Sequence, residues 1–296
     1  MKKYFLIIIT WILGYTVVSQ VKTTALEFKH DSLKYELERA ESDSLRVELL
    51  ILLSESLNYR DPDSSLYYGE KALELAKDLN DIPAQMGAMA FMGSALRNQG
   101  NLPKALELSL EATEIGMDLP VRLAGGIGPI YSNLGEIYFE IGNFEKALLY
   151  FRKMTMLGEK DLAGVAYGFY DLTLVKEQLN QLDSARYFLQ ESYQNFAKLE
   201  YSYYPEIYHV YPPWYNLRAK IYLKENQPDS ALADIFTSLE MTLKSGDNFH
   251  TSNSYNDLAR FYEEYSQPDS AIFYATKGMA TAQKISHSKG MLEASE

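Results

Sequence analysis

The residues that could do chemistry are few and poorly placed for it. The chain of 296 residues has no cysteine, which removes thiol nucleophiles, disulfides, cysteine-ligated zinc and iron–sulfur clusters together. Its histidines are His30, His209, His250 and His287. No two of them stand three or four residues apart, the spacing that puts two zinc ligands on one helix face. Gly125-Gly126-Ile127-Gly128-Pro129 is rich in glycine. It is followed by no Lys-Ser or Lys-Thr and preceded by no strand pattern, so it lacks the parts of a phosphate-binding loop. It reads instead as a bend that opens a helix. Asp61-Pro62-Asp63 lacks the central glycine and closing glutamate of a calcium loop, and no Gly-x-Ser-x-Gly elbow occurs. The expectation is a protein that is not an enzyme, with no catalytic residue, no metal site and no cofactor.

Composition points the same way. The chain is 47% hydrophobic and 23% charged, an ordinary globular balance. Its net charge of −12 argues against nucleic acid, whose phosphates are gripped by Lys and Arg. The 24 tyrosines offer large amphipathic surfaces suited to packing and to recognition.

Residues 1–19 read as an address. Lys2 and Lys3 precede an apolar run from Tyr4 to Val18, and Val17 and Ser19 are small residues before Gln20. These are the three parts of a secretory signal peptide, and the run is shorter than the ~20 residues that cross a bilayer. The alternative is an uncleaved anchor, the only membrane attachment the sequence suggests. Cleavage after Ser19 would remove Lys2 and Lys3 and take the net charge from −12 to −14. The expected location is exported, in the periplasm or cell envelope.

The elements that must position any binding group repeat along the chain. Small residues recur at Ser65, Ala105, Ala147, Ala185, Ala231 and Ala271, at spacings of 40, 42, 38, 46 and 40. Each follows a polar or capping pair, such as Glu145-Lys146 or Asp229-Ser230. Upstream lies a second apolar pattern, clearest in Tyr131, Leu134, Gly135 and Tyr138. That spacing marks one face of a helix, and Met89, Met92, Gly93, Leu96 and Tyr255, Leu258, Ala259, Tyr262 repeat it. Between the halves sit Gly100-Asn101, Gly142-Asn143, Asn180-Gln181, Asn226-Gln227-Pro228 and Ser266-Gln267-Pro268, residues that end one helix and begin another. The unit is therefore helix, tight turn, helix. One such pair cannot bury its own apolar face, so the units must stack.

Gly135, Tyr138, Gly142, Ala147 and Phe151 resemble the small, aromatic and turn positions of the tetratricopeptide repeat. The resemblance extends more loosely over residues 43–285. Asp43 to Leu79 looks like the first repeat of exported sensor regions in Bacteroidetes-type bacterial regulators. It implies an all-α, right-handed superhelical solenoid of about six helix pairs with a period near 40 residues. Residues 20–42 would form an N-terminal capping helix, with Leu26, Leu33, Leu37 and Ala40 on one side, and residues 43–296 the array. The chain ends as if another first helix were opening, so either it continues further or a partner or self-association covers that C-terminal face.

In such arrays the first helices line the concave side. Mapped through the signature positions, the inward groups would be Arg97, Asn98, Ser132, Glu136, Tyr167, Tyr170, Asn216, Lys220, Asn256 and Arg260. Mixed polar and aromatic groups suit a protein or peptide partner. Residues 200–215 break the pattern, with Tyr204, Tyr208, Tyr211 and Trp214 among three prolines. They form either an aromatic binding patch or the packing of a longer helix pair. The resemblance thus implies a non-catalytic binding scaffold. The alternative is the periplasmic sensor region of a signal-transduction protein, a histidine kinase or transcriptional regulator, whose output part lies elsewhere.

Overall fold

The computed structural model describes residues 32–59, 61–116, 127–200 and 211–284. The leader of residues 1–19, most of the capping segment, the Gly-rich stretch up to Gly126, and Tyr204 and Tyr208 lie outside them. Among the described residues the fold is all helical. Helix α1 covers 32–39. Twelve helices follow in pairs: α2 Asp43–Leu57 with α3 Pro62–Asp78, α4 Ile82–Asn98 with α5 Leu102–Ile115, and α6 Ile127–Glu140 with α7 Phe144–Thr155. The second half holds α8 Leu162–Gln178 with α9 Leu182–Glu200, α10 Tyr211–Lys224 with α11 Pro228–Ser245, and α12 Asn248–Glu264 with α13 Pro268–Lys284.

The turns explain why the helices stop where they do. Gly100, Gly142, Asn180 and Asn226 have φ of 78°, 78°, 56° and 56°, the left-handed backbone that ends a helix. Ser266, at φ 55°, does the same without being glycine or asparagine. In each turn the next amide donates back to the carbonyl five residues earlier. Asn101 donates to Leu96, Asn143 to Tyr138, Gln181 to Lys176, Gln227 to Tyr222 and Gln267 to Tyr262, all at 2.8–2.9 Å. Side chains then start the following helix: Asn101, Asn143, Asp61, Asp81 and Asp247 each accept from an amide three residues on, satisfying a donor the helix leaves open.

Packing follows from the small residues. Ser65, Ala105, Ala147, Ala185 and Ala231 are wholly buried, so in the first five pairs the second helix lies close on the first; Ala271 in the sixth is half-buried. A methyl group at Gly135 would overlap the ring of Phe151, itself 2% exposed. Around this contact Ile130, Leu134, Tyr138, Met154, Leu172 and Val175 form one core. Ala219, Ile235, Leu258 and Phe261 form another over the last two pairs. Ile272 and Phe273 of α13 stay exposed.

Curvature comes from an asymmetry between the two rows. Consecutive first helices, α2, α4, α6, α8, α10 and α12, touch one another, whereas second helices pack chiefly on first helices. The first helices are therefore the crowded, inner row. Polar ties hold that row together: Asn98 donates to the carbonyl and side chain of Asn58, Asn133 to the carbonyl of Ala90, and Lys224 to the carbonyl of Glu177. Gly135→Ala should lower the unfolding free energy by about 1–3 kcal/mol, since over-packing outweighs the gain in helix propensity. Gly87→Ala, whose methyl would meet only Ile51 at 3.5 Å, should raise it by about 0.5–1 kcal/mol. Urea denaturation of both variants measures the contrast.

Candidate functional site

The inner row brings a polar and aromatic cluster together from distant parts of the chain. Arg97, at the end of α4, reaches across to α6 and meets Glu136 at 2.6 Å and Glu140 at 2.8 Å. Its side chain is 12% exposed. Ser132 donates to Glu136 at 3.3 Å, so Glu136 is held from two directions. One guanidinium thus serves two carboxylates, and the trio keeps a net charge of −1.

Asp171 on α8 faces this trio. It is 6% exposed and makes no hydrogen bond or ion pair among the described residues. Burial raises its carboxyl well above the usual range, repulsion from Glu136 adds to this, and the charge of Arg97 offsets only part. Asp171 stands one helical turn after Tyr167, four residues on and on the same face, and directly follows Tyr170. Tyr167 stands edge-on to Phe196 at 5.1 Å, and the Tyr170 hydroxyl donates to the carbonyl of Pro213 at 3.5 Å. Burial and then Asp171 push both phenols up.

Tyr59 completes the wall from the end of α2. Its ring lies 6.1 Å from Phe249 at the start of α12, so the first and sixth pairs meet across the inner space. The residue keeps 65% of its surface exposed. Yet its hydroxyl is pushed up to about 12, first by loss of solvent and then by Glu136, with Arg97 opposing. A side chain can be open at its surface and still be crowded by protein groups around its polar end. Tyr59, Arg97, Glu136, Tyr167, Tyr170 and Asp171 gather on the inner side of the array, the inner channel, from four helices or helix ends.

The other sequence-predicted residues divide. Asn98 is used in the tie to Asn58. Asn216 donates to Ser254 at 3.4 Å, and Asn256, 2% exposed, is buried against α13 beside Gly278. These hold the array together. Lys220 and Arg260 are exposed and stand six residues before the left-handed turn residue, the register of Glu136. Tyr211 and Trp214 are 8% and 4% exposed, and the Trp214 indole donates to the carbonyl of Leu189 at 3.0 Å. The described half of the aromatic stretch is core, packed under Tyr193, Tyr215 and Arg218, and offers no exposed patch.

Sequence reasoning missed Asp171 and Tyr59. A signal for Asp171 was present: it stands nine residues before the left-handed turn residue, where the other inner helices from α4 onward carry Phe91, Asn133, Leu217 and Asp257. Tyr59 had none, because only the curvature brings it to the channel.

Comparison with known proteins fits this architecture. Residues 128–157 match the family model described as tetratricopeptide repeat. The chain is a tetratricopeptide-type solenoid. A Rap protein complexed with competence and sporulation factor has a similar fold, with TM-score 0.69 and 16% identity over 90% of this chain and 73% of that one. The apo quorum sensor NprR from B. thuringiensis superposes with TM-score 0.68 and 16% identity, over 87% and 73% of the two chains. The Rap conjugation gene regulator of plasmid pLS20, in complex with a Phr peptide, gives TM-score 0.68 and 16% identity over 92% and 72%. A search of curated proteins finds no match. No helix among the described residues is long and apolar enough to cross a membrane.

Asp171 sets a pH dependence of stability. In the unfolded chain it titrates near its ordinary value of about 3.9; in the fold it holds its proton to higher pH. Between these values the folded state carries the extra proton, so stability falls as pH rises from about 4 through the folded-state value and then levels off. Asp171→Asn removes that slope. Its amide can donate to the preceding helix as Asn133 does at the same register. The variant should therefore melt higher than the parent at neutral pH, in thermal unfolding followed by circular dichroism between about pH 4 and 8. A lower melting point throughout would show the carboxylate to be a stabilising group.

Proposed function

We propose that the chain is a non-catalytic scaffold that binds a peptide or an extended protein segment in its inner channel. The observation that carries the reading is the convergence of Tyr59, Arg97, Glu136, Tyr167 and Tyr170 on the inner side of the array. Tyrosine rings give contact area at low entropic cost, and charged groups set register and selectivity. A peptide suits such a channel because it is narrow, long and can be threaded along the inner row. The peptide-bound state of one fold neighbour, the Rap regulator of plasmid pLS20, supports the reading by analogy of fold alone.

A sensory role is the more specific form of this reading. The Tyr59–Phe249 contact favours it, since this ring pair brings the first helix pair against the sixth. An occupant of the channel would bear directly on the separation of the ends. In the exported setting read from residues 1–19, the array would report an envelope peptide to an output part.

The test is direct binding by the purified mature chain. Pools of fluorescent hexapeptides should raise anisotropy on titration. Tyr59→Ala and Tyr167→Ala should each weaken binding by roughly tenfold, the loss of an aromatic anchor, while helical content is unchanged. Small-angle scattering should show a change in radius of gyration on binding if the ends respond. Binding that survives both substitutions would place the binding surface elsewhere.

A further inference from the structure

We propose that the channel contains a subsite for a cationic group, the guanidinium or ammonium of a basic side chain on the bound peptide, formed by Asp171 and Glu136 and walled by Tyr59, Tyr167 and Tyr170. This rests on the reading of the channel as a peptide site and names what one part of it recognises.

Charge is the first argument. Arg97 is shared between Glu136 and Glu140, so those three groups leave one negative charge before Asp171 is counted. An ionised Asp171 makes it two, inside a space poor in solvent. The main charges acting on Asp171 are Glu136, which repels it, and Arg97, which is already committed. A group entering with positive charge relieves the repulsion; one with negative charge meets two carboxylates.

The second argument is the missing partner. A carboxylate at 6% exposure is normally held by two or three donors. Asp171 has none among the described residues. At the same register α6 carries Asn133, which is satisfied by donating to Ala90 at 2.6 Å. Replacing a donor–acceptor amide by an acid there costs stability unless something else donates. A guanidinium supplies paired donors in carboxylate geometry.

The walls are the third. The electron-rich faces of three tyrosines suit the flat face of a guanidinium or the methylenes of a lysine. A divalent metal is disfavoured, because among the described residues no three His, Asp or Glu side chains converge on a metal-binding point.

The experiment uses two matched hexapeptide pools, one with arginine at a fixed position among random uncharged residues and one with citrulline there. Wild-type mature chain should bind the arginine pool at least about tenfold tighter, one charge-assisted pairing's worth of discrimination. Asp171→Asn should abolish the difference between the pools, and Glu136→Gln should reduce it. Free arginine and putrescine serve as competitors. Equal binding of both pools, unaffected by either substitution, would overturn the cationic subsite and leave the peptide reading standing. Failure of both pools to bind, together with tight binding of free arginine that Asp171→Asn removes, would keep the subsite and overturn the peptide reading. No binding of any of these probes would overturn both.

Discussion

The close approach of the two helices in each pair is the constraint on which the rest of this structure depends. It needs a residue with almost no side chain at one fixed place in the second helix, and Ser65, Ala105, Ala147, Ala185 and Ala231 supply it with no remaining exposure. In the third pair the first helix gives way as well, since Gly135 leaves the space that the ring of Phe151 fills. Pairs closed in this way still present an apolar flank, and only the next pair can cover it. Because first helices touch first helices along the array, successive pairs turn toward that side. The channel is a consequence of this turn, and so is the meeting of Tyr59 with Phe249.

This order of causes decides what could be read before the fold was seen. Local chemistry was legible. The left-handed turn at Gly142, the cap at Asn143 and the small-against-aromatic pair Gly135 and Phe151 all follow from residue types within about one repeat. The inner row was also legible as a row, and Arg97, Ser132, Glu136, Tyr167 and Tyr170 do belong to one cluster. What could not be read was which side chains spend themselves on neighbours. Asn98, Asn216 and Asn256 have the same polar character as Ser132, yet each is consumed by a contact within the array. That outcome depends on distances between pairs, which no spacing along the chain encodes. Tyr211 and Trp214 show the same limit for aromatic groups: their density suggested contact area, and the core claimed it.

Two buried charges in the channel have opposite fates, and the comparison between them carries the functional argument. Arg97 is buried and its two terminal nitrogens are answered by carboxylates at 2.6 and 2.8 Å, while its Nε has no partner among the described residues. Its removal would leave those carboxylates exposed to each other, so its presence is accounted for by structure alone. Asp171 is as deeply placed and has no such answer. An asparagine at that register satisfies itself in the preceding turn of the array, so packing does not require an acid.

A buried acid with no donor among the described residues is what a site for an incoming cation would need. The net acidity of the chain works in the same direction. At −12 overall the protein draws cations toward itself over distances of the order of the Debye length, about 8–10 Å. In the proposed subsite, tyrosine rings beside the carboxylate would favour a flat or extended cation. Long-range attraction, aromatic walls and an unanswered acid are three separate properties of this chain. They agree on the sign of the ligand's charge, although no one of them was needed to build the solenoid.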